Sequence, residues 1–215
     1  MDMKRKITGL KVQKRNSNRV NVYLDGEFAF GLSRITAAWL EIGVELDQDQ
    51  IQKLQSEDDA EVAYQKALNF LSYRPRSERE LIENLSKHDF SEDVAEKVIE
   101  RLERQGLVDD LAFAQTWVEN RSDFTPRGRL ALRMELRQKG IERELIDSVL
   151  DDLDEDALAY RAAMKQARKY RKLDWEDYRK KMIAFLARRG FNYGTAKEVA
   201  EKVWSVKSSE YESDY

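Results

Sequence analysis

Residues 73–106 read YRPRSERELIENLSKHDFSEDVAEKVIERLERQG, a turn followed by two short amphipathic helices. Weaker copies of the stretch follow it. Leu81, Leu132 and Met182 form one column, and Leu85, Leu136 and Leu186 a second. Phe90, Ile141 and Phe191 form a third, and Val98, Val149 and Val199 a fourth, with offsets of 51 and then 50 residues throughout. Self-similarity at one fixed period of this size is the mark of a repeat array.

Around this stretch the signals of helix ends recur. Ser77 with Glu80 three residues on reads as a capping box opening the second helix of the first copy. Ser91, followed by Glu92 and Asp93, opens the third, and Gly106 closes it. In the second copy Thr125-Pro126 reads as an N-cap with proline at the first helical position, and Gly140 as the stop. In the third, Asp174 opens the second helix and Gly190 ends it, with Asn192 and Thr195 competing to cap the last. Each copy gains a preceding helix, carried by Ala63, Ala67 and Leu68 in the first and by Phe113, Trp117 and Val118 in the second.

The N-terminal part has another period. Ile7, Leu10 and Val12, then Val20, Val22 and Leu24, then Phe28 and Phe30, alternate with polar residues as strands do. Asp25-Gly26 is a favoured hairpin dipeptide, so three antiparallel strands are expected. A short helix opened by Ser33, a loop over IGVELD and a helix begun by Asp47 complete this part. It serves either as a cap for the array or as a binding region of its own.

The expected fold is mainly α: a tandem array of three three-helix modules, preceded by a small antiparallel β meander with short helices. The boundaries fall at residues 1–59 for the N-terminal part, then 60–106, 107–153 and 154–206 for the modules. Residues 207–215, KSSEYESDY, read as a disordered acidic tail. Modules of this size are marginal alone, so neighbours contribute stability. A 13-residue helix is about 20 Å long, and three modules end to end would span about 60–70 Å.

Composition narrows the function. Charged residues make up 37% and hydrophobic ones 41%, which suits short helices with one apolar stripe. There is no cysteine and one histidine, His88, so neither a thiolate metal site nor a histidine-based nucleophilic triad is available. No phosphate-cradling glycine loop occurs. The acids 151, 152, 154, 155 and 156 lack the spacing of a metal loop and read as helix-end and linker residues. No run approaches the length of a membrane span or a signal peptide. A non-enzymatic, cofactor-free, cytoplasmic protein is expected.

Net charge is −3, so any nucleic-acid contact must come from local patches. One candidate is the arginines at the second-helix starts: Arg74, Arg76 and Arg79, answered in module two by Arg127, Arg129 and the nearby Arg133 and extended by Arg137 and Lys139. Helix N-termini attract anions and guanidinium groups bind phosphate or carboxylate bidentately, which makes a repeated anion-binding strip. The competing reading is a solvated face with internal salt bridges, Arg79 with Glu83 for example. The other candidate is module three, where residues 161–189 hold eleven Lys or Arg against three acids. Its site residues are Lys165, Arg168, Lys169, Arg171, Lys172, Arg188 and Arg189. Tyr160, Tyr170 and Tyr178 are interleaved, while Trp175 and Phe185 read as core. Cations neutralise phosphates and aromatics stack on unpaired bases.

Tyr73 to Leu81, with Leu85, Phe90, Val98 and the Gly106-Leu107-Val108-Asp109-Asp110 turn, resembles the RecX family. So does Thr125-Pro126-Arg127-Gly128 through Leu136 to Lys139-Gly140-Ile141. The likeness covers about residues 60–206, and the strand-rich start is similar to that of longer members. Asp89 departs from the glycine that the family often has before the aromatic at the end of the second helix, where Gly140 and Gly190 keep it. The resemblance implies a monomeric regulator that binds the RecA–single-stranded DNA filament in its groove and alters assembly, ATP hydrolysis and strand exchange. From the basic patches alone, a helical-repeat protein acting directly on single- or double-stranded DNA is the alternative.

Overall fold

The computed structural model describes residues 4–212, with side chains through Val206. The chain forms two compact units, residues 1–108 and 109–215. The fold is mostly helical, with one small antiparallel sheet at the N-terminus.

In the first unit β1 (Arg5–Val12), β2 (Arg19–Leu24) and β3 (Glu27–Ser33) form the expected meander. The turn between β2 and β3 places both Asp25 (φ 51°) and Gly26 (φ 91°) in the left-handed region. That is the geometry whose twist matches a two-residue hairpin. Alternate residues, Val20, Val22, Leu24, Phe30 and Leu32, turn inward and are buried. The stretch expected to be a loop contributes a fourth strand, β4 (Glu45–Leu46), paired to Arg5 and Lys6 at the far edge, giving the order β3-β2-β1-β4. Burial of Leu46 holds it there. Helix α1 (Arg34–Ala37) is capped by Ser33.

The largest departure from expectation is α2, which runs unbroken over Gln48–Leu71. The boundary expected between residues 59 and 60 falls inside it. Asp47 and Gln50 close a complete capping box, and no glycine or proline intervenes before Ser72. Within the helix Asp58 is 3% exposed. Its carboxylate accepts from Arg19 Nη1 at 2.9 Å and from the backbone N–H of Ser33. The acid thus ties the helix to the sheet. At about 1.5 Å per residue the helix is about 36 Å long. Its first half packs Ile51 and Leu54 on the sheet, and its second packs Ala63, Tyr64 and Ala67 against α3 (Glu78–Ser86) and α4 (Glu92–Arg104).

The second unit holds α5 (Asp110–Phe124), α6 (Arg129–Gln138) and α7 (Arg143–Asp151), then α8 (Glu155–Ala167), a 3₁₀ turn at Arg168–Tyr170, α9 (Trp175–Arg188) and α10 (Tyr193–Glu212). Asn192 caps α10 by accepting the Thr195 N–H at 2.9 Å. Helix α10 continues into the stretch expected to be a disordered tail, and residues 213–215 lie outside the described residues.

The first two columns occupy matching environments, and the third and fourth are buried except at Phe90 and Val149, which are partly buried against the same clusters. Leu81, Leu132, Met182, Leu85, Leu136 and Leu186 are fully buried, in three separate clusters. Columns two and three have one shared cause. The N–H groups of Phe90, Ile141 and Phe191 bond back to the carbonyls of Leu85, Leu136 and Leu186 at 3.4, 3.1 and 3.2 Å. These are the closing bonds of a Schellman turn, whose two ends pack an apolar pair together. The residue between must be left-handed, and Asp89 (φ 63°), Gly140 (φ 85°) and Gly190 (φ 85°) are. Asp89 therefore carries a conformational cost that glycine avoids. Replacing it by glycine is expected to stabilise the first unit by about 0.5 kcal/mol, raising its Tm by about 2–4 °C in a calorimetric scan.

Candidate nucleic-acid and partner interface

The second-helix arginines of module one are engaged locally. Arg74 grips Glu80 with two hydrogen bonds of 2.9 and 3.0 Å. The Arg76 guanidinium lies 3.7 Å from the centre of the Phe70 ring, and desolvation, then the charge of Arg74, lower its pKa. Arg79 pairs with Glu83 at 2.8 Å, one helical turn on. Beneath them Ser77, fully buried, caps α3 through the Glu80 N–H.

Module two uses its equivalents differently. Helix α6 begins at Arg129 with Gly128 at its N-cap, so Thr125 ends α5 and Pro126 lies in the connection rather than at a helix start. Module three supplies the caps that the sequence of α6 lacks. Glu155 Oε1 accepts the Arg129 N–H at 2.9 Å, and the Gly128 N–H bonds to the Arg189 carbonyl at 2.8 Å. A carboxylate here answers both the open N–H groups and the positive end of the helix dipole. The Arg129 side chain turns to the carbonyls of Leu150 and Leu153 at the end of α7. Arg133 pairs with Asp147 at 2.6 Å. Glu135 gathers Arg121 at 2.7 Å, the Trp117 indole N–H at 2.9 Å and Arg127 at 3.6 Å. Lys139 sits over the Trp117 ring. Arg137 is exposed and makes no ion pair among the described residues.

Gly128 also meets Gly190 backbone to backbone. A Cβ on Gly128 would lie 2.2 Å from the Gly190 carbonyl oxygen, and one on Gly190 would lie 2.4 Å from the Ala131 Cβ. Arg189 closes this joint through the Pro126 carbonyl at 3.1 Å, and desolvation, then the nearby Arg127, lower its pKa. Modules two and three are thereby fused within one unit.

The remaining cations of module three stand apart. Lys165, Arg168, Lys169, Arg171 and Lys172 occupy the end of α8, the 3₁₀ turn and the loop before α9, all exposed. Arg188 is exposed in the last turn of α9. None of the six forms an ion pair among the described residues. The interleaved aromatics belong to the core instead. Tyr178 is fully buried among Tyr170, Trp175 and Trp204, and burial pushes its phenol up to about 12. Trp175 and Phe185 pack on the same cluster, as read from sequence.

One exposed aromatic was not legible as a site. Trp39 is 90% exposed and stands a helical turn beyond Ile35, also exposed, while Ala37 and Leu40 supply the inward face. An apolar pair left over on a short helix and the turn after it, with the inner face already filled, is the signal that marks it.

The family model "Regulatory protein RecX N-terminal domain" matches residues 5–47. "RecX, first three-helix domain", "second" and "third" match 63–102, 109–150 and 154–200, in step with the columns. The chain belongs to the RecX family. A "Regulatory protein RecX" of Leuconostoc mesenteroides subsp. mesenteroides is 30% identical over 97% of this chain and 79% of its own length. Another, of Chlorobium phaeobacteroides, is 39% identical over 69% of this chain and 98% of its own. A solved "Crystal structure of regulatory protein RecX" superposes with a TM-score of 0.72 at 31% identity, covering 92% of this chain and 99% of that one. No helix among the described residues is long and apolar enough to cross a membrane. The RecX models end at 47 and resume at 63, on either side of the part of α2 that holds Asp58.

Proposed function

We propose that this chain binds the RecA–single-stranded DNA filament in its groove and inhibits filament assembly, ATP hydrolysis and strand exchange, as a cytoplasmic, monomeric, non-enzymatic regulator. The observation that carries this reading is membership of the RecX family across all four of its domains. Three copies of one small bundle on a single chain offer a repeating ligand several weak contacts. After the first contact the others are intramolecular, so avidity accumulates without a deep pocket. Such a clamp hinders the subunit rearrangements that accompany nucleotide turnover, and the hydrolysis remains the partner's chemistry. Arg74, Arg76, Arg79, Arg127, Arg129 and Arg133 act here chiefly by holding the modules in shape. Arg137, Lys165, Arg168, Lys169, Arg171, Lys172 and Arg188 are the cations available to carboxylates or phosphates.

The test adds the protein to RecA on single-stranded DNA and follows ATP hydrolysis and strand exchange. Both rates should fall as the protein is added; unchanged rates at saturation would remove the reading. Reversing Lys165, Arg168, Lys169 and Lys172 to Glu should relieve the inhibition.

A second reading, direct DNA binding, is favoured by the same unpaired cations. If about five phosphates are contacted, log affinity should fall against log salt with a slope of roughly −3.5 on single strands and −4.5 on duplex. The four-fold reversal should flatten the slope by about 3. A slope the reversal leaves alone places any DNA contact elsewhere.

A further inference from the structure

Trp39 lies in a different unit from the module-three cations and, with the exposed Ile35 beside it, forms an apolar pair on one groove. It lines an open groove of about 750 Å³ between the end of the sheet, α1 and α2. That volume is of the size that small ligands occupy. Ile35, Ala38 and Val62 give the groove an apolar floor, and Asn16, Asn18 and Gln65 bring amide groups to it. The Asn16 oxygen already accepts the Asn18 N–H and the Gln65 amide donates to Glu61, each at 3.0 Å, which leaves the Asn16 NH2, the Gln65 oxygen and the Asn18 amide for a ligand.

The charge at its mouth is positive and uncompensated. Of the acids nearby, Glu61 is taken by Arg101 at 2.9 Å, and Asp58 is taken by Arg19. Arg34 lines the groove, is exposed and has no ion pair among the described residues. Its backbone is fixed by the hydrogen bond from its N–H to the Asn18 carbonyl at 2.8 Å. The same connection carries Lys14 and Arg15, exposed and likewise without ion pairs among the described residues.

A flat indole face, an apolar floor, amides able both to donate and to accept, and an unneutralised guanidinium are together what an unpaired nucleotide needs. We propose that this groove is a single-stranded nucleic-acid site, with a base stacked on Trp39 and the adjoining phosphate on Arg34. An acidic peptide with an aromatic side chain would satisfy the charges. It would leave the row of amides without the base edge they suit.

The test uses the full chain without RecA, so its outcome is separate from that of the filament reading. Fluorescein-labelled 15-mer oligothymidylate is titrated at low salt and followed by anisotropy. Trp39→Ala should weaken binding by about tenfold or more, the loss of one base–aromatic stack. Trp39→Phe should retain most of the affinity, and Arg34→Glu should lose it together with part of the salt dependence. Because Trp39 projects into solvent, its replacement leaves the core intact, which an unchanged melting curve checks. The tryptophan emission that the wild type has in excess of Trp39→Phe should be quenched as the oligonucleotide saturates. Equal affinities of wild type and Trp39→Ala, or saturation with that emission unchanged, would overturn the site.

Discussion

Alanine at Gly128 should break the second unit open at its joint, with a loss of about 3 kcal/mol. The added carbon would sit 2.2 Å from the Gly190 oxygen and 2.4 Å from the Phe191 nitrogen, and both are backbone atoms that cannot rotate away. Relief requires the two modules to separate. The hydrogen bonds from the Gly128 N–H to Arg189 and from Arg189 to Pro126 are then lost, each worth about 1 kcal/mol. Glu155 also loses its place at the start of α6, and that cap contributes about 1 kcal/mol. Gly190→Ala should cost more, about 4 kcal/mol, since overpacking against Ala131 adds to a left-handed φ of 85°. Hydrogen exchange on the full chain reads the effect directly: amides of 128–132 and 189–193 should lose protection in both variants, while the sheet keeps its own. Retained protection at these amides would mean that the close approach is not maintained in solution.

Arg19→Met should destabilise the first unit by about 3 kcal/mol, because it leaves the Asp58 carboxylate buried with only the Ser33 N–H for company. The Arg19 side chain is 29% exposed, which places the expected loss at the lower end of values for buried pairs. Adding Asp58→Asn should return part of it, since the remaining amide keeps an acceptor for Ser33 and carries no charge. Urea denaturation of the three variants, followed by far-UV circular dichroism, gives the comparison. A single variant as stable as the wild type would show that the ion pair contributes nothing to joining sheet and helix. A double variant no better than the single would show that unpaired charge is not the cause.

The two joints explain what could be read from the sequence and what could not. The columns were legible because the chain repeats itself, and the Asp25-Gly26 turn and the caps Ser77, Ser91 and Asp174 because each depends on residues a few positions apart. The Schellman turns belong to the same class, and they account for Asp89 as a residue holding a glycine's conformation. The continuity of α2 was hidden because the change from strand period to repeat period suggests a boundary near residue 60, and the partner that holds the helix to the sheet at Asp58 is Arg19, 39 positions earlier. The start of α6 was misplaced for a similar reason, since its capping groups come from residues 155 and 189. Arginines recur at the second-helix starts, but only Arg76 and Arg127 stand at the 51-residue offset, and the partners differ: Glu80 for Arg74, Glu135 for Arg127, Asp147 for Arg133. Period tells which residues are equivalent in the repeat, and tertiary pairing decides which of them keep their charge for something else. In module three the acids cap helices at the α8 start while the cations lie towards its end, and so the cations stay unpaired.

Helix α2 has no seam at which the sheet could be gained or shed cleanly in descent. A lineage that kept the three bundles and discarded the strands would forfeit the Asp47 start signal, expose Ile51 and Leu54 to water and strand Asp58 without its arginine. It would have to invent a new beginning for that helix downstream of residue 58, so the ancestry of such shorter forms should be written in the residues just before Ala63.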